Sequence, residues 1–169
     1  TSLNLNLDDI GPATSSSANQ NVFIDIAGAG LATLNVTTAN DNFVVFENSG
    51  GALSTLNLQG SGNFGIMSAL PNSITTINGV NSSANLTLTP GTGGSSTTTG
   101  SGNDVISLTG GANTVNTNSG QDNITASGGT NNVNTGTGDD TINLTGGTNS
   151  IVTGNNNDTV TASAGNNDI

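Results

Sequence analysis

From Thr99 to Ile169 the chain divides into nine-residue units without an insertion, the last unit one residue short. The units open TGSGNDVIS, LTGGANTVN and continue through TGTGDDTIN and LTGGTNSIV to ASAGNNDI. Position four is Gly102, Gly111, Gly120, Gly129, Gly138, Gly147 and Gly165, with Asn156 standing in once. Position eight is Ile or Val throughout, from Ile106 and Val115 to Val160 and Ile169. A fixed short period marks a repeat architecture, in which each unit buries its apolar face only against its neighbours. Gly, or Asn in its place, tolerates positive φ and turns the chain tightly. The residues around position eight form a short strand with the β-branched side chain inward. The residue two further on shares that face, because side chains alternate along a strand. Those partners are Leu108, Ala126, Leu144 and Ala162 in one set of units, but Thr117, Thr135 and Thr153 in the other. Two units therefore make one coil, and residues 18 apart stack. The expected fold is all-β, a right-handed parallel β-solenoid or β-roll. About four such coils rising about 4.8 Å each give roughly 19 Å of roll.

Position six carries the chemistry. It alternates strictly between Asp104, Asp122, Asp140 and Asp158 in one set of units and Asn113, Asn131, Asn149 and Asn167 in the other. One edge of the roll thus stacks four carboxylates, and the opposite edge stacks four amides. Carboxylates about 5 Å apart repel by roughly 0.8 kcal/mol per pair in bulk water, and by more where water is excluded. A divalent cation between successive turns resolves that repulsion. Backbone carbonyls near Gly102, Gly120, Gly138 and Asn156 would supply further oxygens. The Asn edge is the weaker metal candidate: neutral amides suit a hydrogen-bond ladder like those of stacked-strand assemblies.

Composition supports this and excludes much else. The chain carries 11 Asp and Glu and no Lys, Arg, His or Cys, for a net charge of −11. Without basic side chains it cannot neutralise phosphates, so nucleic acid is not an expected partner, nor is an anionic membrane surface. No run approaches the roughly 18 apolar residues of a membrane span, so direct membrane insertion is not expected. Without thiolates or imidazoles only hard oxygen ligands remain, which suit calcium or magnesium rather than zinc or copper. An enzyme needs a tuned acid, base or nucleophile; here the acids repeat regularly and Ser and Thr have no His or Lys to activate them. This piece is not expected to be catalytic.

The first half is looser. LATLNV (31–36), LSTLNL (53–58) and ITTING (74–79) recur at spacings of 22 and 21. Between them lie FVVF (43–46), FGIM (64–67) and NLTLT (85–89), so each period offers two strands separated by Gly, Asn and Ser turns. LNLNL (3–7) and VFIDI (22–26) read as the opening strands. An irregular parallel solenoid over 1–95 followed by the roll over 96–169 is expected. GTGGSSTTTG (91–100) then joins them within one continuous solenoid. Asp8, Asp9, Asp25, Asp41 and Glu47 follow no period and read as solvated loop charges. The chain begins and stops within patterned sequence, which predicts a piece of a longer polypeptide.

The nonapeptide resembles the RTX repeat G-G-x-G-x-D-x-U-x, in which U is a large aliphatic residue. TGSGNDVIS (99–107) and TGTGDDTIN (135–143) fit it at all but the first position, and TNSGQDNIT (117–125) and TGNNNDTVT (153–161) fit more loosely. The resemblance implies several bound Ca2+ ions, Asp104, Asp122, Asp140 and Asp158 as ligands with turn carbonyls, and a roll that folds when calcium arrives. The Asn units depart from the pattern, with their Gly pairs shifted to positions three and four. The Leu- and Thr-rich solenoid joined to RTX units looks like bacterial surface-layer proteins exported by type I secretion. That likeness implies a structural, self-assembling role at the cell surface, in a lattice or filament. It also implies a cell-surface polysaccharide partner reached through regions outside this piece. The alternatives are an RTX adhesin or biofilm matrix protein, or the non-catalytic RTX appendage of a secreted enzyme.

Overall fold

The computed structural model describes residues 1–10 and 22–169. All regular structure there is β, in seventeen strands that alternate between two parallel sheets. One sheet is built from β1 (Ser2–Asp8), β3 (Thr33–Ala39), β5 (Thr55–Gly60), β7 (Thr76–Ser82) and β9 (Ser96–Thr98), in that order. It continues through β11 (Ala112–Asn116), β13 (Thr130–Asn134), β15 (Thr148–Val152) and β17 (Asn166–Asp168). The facing sheet begins with β2 (Val22–Asp25), β4 (Asn42–Glu47), β6 (Phe64–Ile66) and β8 (Leu86–Leu88). It ends with β10 (Val105–Leu108), β12 (Asn123–Ala126), β14 (Thr141–Leu144) and β16 (Thr159–Ala162). Consecutive strands lie in opposite sheets and every pairing is parallel, so the chain winds as a solenoid of about eight coils.

Alternation along each strand fixes what faces inward. In β3 and β5, Leu34 and Val36 stack on Leu56 and Leu58, while Thr33, Asn35, Thr55 and Asn57 face out. One inward column then runs Leu56, Ile77, Thr97, Val115, Val133 and Ile151 through the sheet. On the facing sheet Leu88, Ile106, Ile124, Ile142 and Val160 stack in the same way. Both sheets run unbroken across residues 96–98, where β9 pairs with β7 on one side and β11 on the other.

The two halves differ in girth. The longer coils of the first half bury extra side chains on their connections, Leu53, Leu70 and Ile74 among them. Coils of 18 residues have no room for these, and their core is narrow: Ile106 and Leu108 face Val115, Ile124 and Ala126 face Val133, Ile142 and Leu144 face Ile151. Thr117 and Thr135 are buried beside them as the repeat predicts, whereas Ala162 in the last coil is exposed.

Of the five acidic residues expected in loops, Asp9 and Asp41 lie outside the strands, but the other three do not. Asp8, Asp25 and Glu47 end strands β1, β2 and β4 rather than sitting in loops, and Asp25 stands directly opposite Glu47. Their side chains are exposed, and Asp25 is held by the Ser49 backbone N–H and hydroxyl, which draw its carboxyl below the usual range.

Candidate metal-binding edge

The chain enters β10, β12 and β14 through turns with the pattern Thr-x-x-Gly-x-Asp. At Gly120 and Gly138 the backbone takes φ of 131° and 139°. A Cβ on Gly138 would lie 1.6 Å from the Gly120 carbonyl oxygen, and one on Gly120 would lie 2.0 Å from that of Gly102. Only glycine lets the turns approach this closely. The turn carbonyls consequently point along the roll axis, each at the coil that follows. Among the described residues no N–H donates to the carbonyls of Gly102, Gly120 or Gly138. Asn156 takes the same turn position in the last Asp unit at φ 86°, an unfavourable conformation for a side-chain-bearing residue.

The structure brings the four aspartates into one column. Asp104 N–H donates to Asp122 Oδ1 at 2.8 Å, Asp122 N–H to Asp140 Oδ1 at 2.8 Å, and Asp140 N–H to Asp158 Oδ1 at 3.0 Å. Leu86 N–H donates to Asp104 Oδ1 at 2.8 Å. Asp104, Asp122 and Asp140 are 0%, 1% and 1% exposed, and Asp158 in the last coil is half-buried. Each carboxylate thus spends one oxygen on a backbone N–H of the preceding coil. The other oxygen, Oδ2 of Asp104, Asp122 and Asp140, is buried without any hydrogen-bond partner.

Such an arrangement is costly as it stands. Buried polar groups are nearly always paired, and an isolated buried charge is among the most unfavourable features a fold can carry. Burial pushes Asp104 up to about 7; the Thr99 hydroxyl and the Leu86 N–H oppose this, and the neighbouring Asp122 charge adds to it. Burial raises Asp122 as well, with Thr117 and the Asp104 N–H opposing and Asp140 adding. The threonine hydroxyls lie close enough to favour the charged carboxylates, but their protons are directed to backbone carbonyls and leave Oδ2 without a partner. Thr99, Thr117 and Thr135 donate to the carbonyls of Thr117, Thr135 and Thr153, forming a second ladder beside the aspartates.

The Asn edge is built differently. Asn113 Nδ2 donates to Asn131 Oδ1 at 2.9 Å, Asn131 to Asn149 at 2.7 Å, and Asn149 to Asn167 at 2.7 Å. The same amides also bond the carbonyls of Gly110, Gly128 and Gly146, three residues back. Ser95 N–H closes the top of the ladder on Asn113 Oδ1. Both amide protons and the carbonyl oxygen of Asn113, Asn131 and Asn149 are committed. This edge satisfies itself, while the Asp edge presents anionic oxygen that nothing in the protein answers.

The orphaned Oδ2 atoms and the donor-free turn carbonyls fit a hard divalent cation, which takes oxygen ligands of both kinds. Among the described residues no three acidic side chains converge, so carbonyls must complete any site. Sequence reasoning missed the N–H to Oδ1 bonds and the Thr99, Thr117 and Thr135 ladder. It also missed an outward ladder at position five, in which Asn85, Asn103 and Asp139 accept the N–H of Asn103, Gln121 and Asn157. The available signal was that this position is Asn103, Gln121, Asp139 and Asn157 in the four Asp-bearing units. No curated protein and no solved structure matches the chain. Residues 98–133, 107–142, 125–160 and 134–169 match the family model of the RTX calcium-binding nonapeptide repeat, so the second half carries four copies of a non-catalytic, Ca2+-binding β-roll repeat of the kind typical of proteins secreted by the type I route.

Proposed function

We propose that this chain is a structural protein of the bacterial cell exterior, a self-assembling surface-layer component whose folding and assembly are driven by calcium. The observation that carries the calcium role is the set of buried, unpartnered Oδ2 atoms on Asp104, Asp122 and Asp140. Calcium there turns the largest electrostatic cost of the fold into its lock. About three ions are expected, between Asp104 and Asp122, Asp122 and Asp140, and Asp140 and Asp158, with carbonyls near Gly102, Gly120, Gly138 and Asn156 as co-ligands. Asn113, Asn131, Asn149 and Asn167 are not ligands in this reading, because their ladder leaves them nothing to offer. Where calcium is scarce the roll stays unfolded and fit for export; outside the cell it closes.

The charge pattern supports assembly. A surface of net charge −11 with no basic side chain keeps copies apart until divalent cations bridge them. Titration calorimetry on metal-stripped protein, with light scattering on the same samples, tests both parts. About three ions taken up, with particle growth reversed by chelator, supports the reading. No calcium uptake sinks the metal assignment, and uptake with unchanged particle size sinks the assembly role.

A further inference from the structure

The position occupied by aspartate in every coil of the roll can be followed back into the first half. Asn42 pairs with Phe64 and Phe64 with Leu86, and the register of β8 on β10 sets Leu86 against Asp104. The edge column therefore reads Asn42, Phe64, Leu86, Asp104, Asp122, Asp140, Asp158. Phe64 and Leu86 are buried, and buried Asn42 is satisfied: its amide bonds the carbonyls of Ala39 and Asn40, and its Oδ1 accepts the Ile10 N–H. The charge column starts abruptly at Asp104. Above it, apolar side chains fill the space that metal would occupy below.

The cores differ in the same sense. Fifteen apolar side chains are buried between residues 33 and 88, against nine between residues 99 and 169. The first stretch thus packs more apolar mass into fewer residues, with no buried carboxylate to offset it. The seam between the two is closely fitted. Leu86 N–H meets Asp104 Oδ1, Asn103 N–H meets Asn85 Oδ1 at 2.7 Å, and Ser101 N–H meets the Ser82 carbonyl at 3.0 Å. Cβ atoms on Gly100 and Gly102 would strike the carbonyls of Ser82 and Ala84, at 1.8 and 2.0 Å. The coil at 74–98 therefore offers a finished strand edge on both sheets to the first coil of the roll. In a solenoid stability is local, and folding spreads from coils that already stand.

We propose that residues 33–98 form a calcium-independent base, folded whether or not the ion is present, on which the roll winds coil by coil from Asp104 toward Asp158 as calcium binds. This rests on the calcium reading of the Asp column and adds direction and a fixed starting point to it. Calcium entry becomes ordered: the coil carrying Asp104 docks on a preformed edge, whereas each later coil needs its predecessor.

Hydrogen exchange followed by mass spectrometry on the whole chain, metal-stripped and then titrated with calcium, tests this. In the stripped protein at about pH 8, amides of 33–88 should be protected while those of 105–162 exchange freely. Protection should then spread in sequence order as calcium rises. Gly100→Val, which drives a side chain into the Ser82 carbonyl across the seam and leaves every proposed calcium ligand in place, should raise the calcium midpoint of the roll several-fold and leave protection of 33–88 unchanged. Free exchange of 33–88 in the stripped protein overturns the base while leaving the calcium reading intact. Protection of both halves overturns the calcium reading and the base with it. Simultaneous protection of all roll coils, with an unshifted midpoint in Gly100→Val, overturns the ordered winding.

Discussion

Removing calcium should make the roll acid-stable and alkali-labile, the reverse of most acidic proteins. The perturbation is metal stripping by dialysis, because chelators lose affinity in acid. Asp104 moves from 3.8 in the unfolded chain to about 7 in the folded one. Between those values the folded state holds a proton that the unfolded state has released, so stability falls as pH rises. The difference is about three pH units, and at about 1.36 kcal/mol per unit it reaches roughly 4 kcal/mol above pH 7. Asp122, raised for the same reason, adds in the same direction. With calcium present the slope inverts, since the ion binds only deprotonated carboxylates and acid expels it.

Urea unfolding followed by far-ultraviolet circular dichroism, at about pH 5 and about pH 8 and matched ionic strength, reads both slopes. The stripped protein should hold its full β signal near pH 5 and lose the share due to the roll near pH 8; the calcium-loaded protein should be the more stable at pH 8. General repulsion among 11 acids also weakens toward low pH, so Asp104→Asn is the control. It should flatten most of the stripped-state slope. A stripped roll as stable near pH 8 as near pH 5 refutes the burial argument, and an unchanged slope in Asp104→Asn shows that diffuse repulsion, not the column, sets it.

Asn131→Asp should cost about 2–4 kcal/mol in chemical denaturation, because two amide bonds are lost and a charge is buried, with calcium stoichiometry by calorimetry unchanged. Asp122→Asn should lower that stoichiometry and raise the calcium needed for folding, read by circular dichroism across a calcium titration. Gly138→Ala should abolish cooperative folding of the last coils even at high calcium, since the added Cβ meets the Gly120 carbonyl at 1.6 Å; proteolysis C-terminal to residue 138 reports it. Ile124→Ala, at a fully buried position between two calcium coils, should cost about 2–5 kcal/mol in the calcium-loaded protein by urea unfolding.

Much of this was legible in the residues. The nine-residue period sets coil length, the alternation at position eight and two further on sets the inward face, and Asp against Asn at position six sets the two edges. The loose repeat of 31–36, 53–58 and 74–79 places β3, β5 and β7, because the fourth and sixth residues (Leu34 and Val36, Leu56 and Leu58) share one side of a strand, while the first falls on the connection before it. What stayed hidden was the use of each polar atom. Nothing in a string of letters shows that Asp122 Oδ1 is taken by the Asp104 N–H while Oδ2 is left over. The seam was equally obscure: Phe64 and Leu86 look like ordinary core residues until the register sets them above Asp104.

The two edges of the roll pose one problem and answer it in opposite ways. At both, a turn must stack on its copy about 4.8 Å away while holding a short polar side chain inward. Asn carries donors and an acceptor, so Asn113, Asn131 and Asn149 satisfy one another and that edge needs no ion of its own. Ionised Asp carries acceptors alone, so its column can be completed only from outside the chain. Exchanging one amide for one carboxylate at every second unit completes one edge of each coil from within the chain and leaves the other conditional on an ion. A roll with Asn on both edges would close with or without calcium, and one with Asp on both would need twice the metal to close at all. The alternation between Asp104 and Asn113, kept through all eight units, fits a coil that is held by amides and released by the loss of an ion.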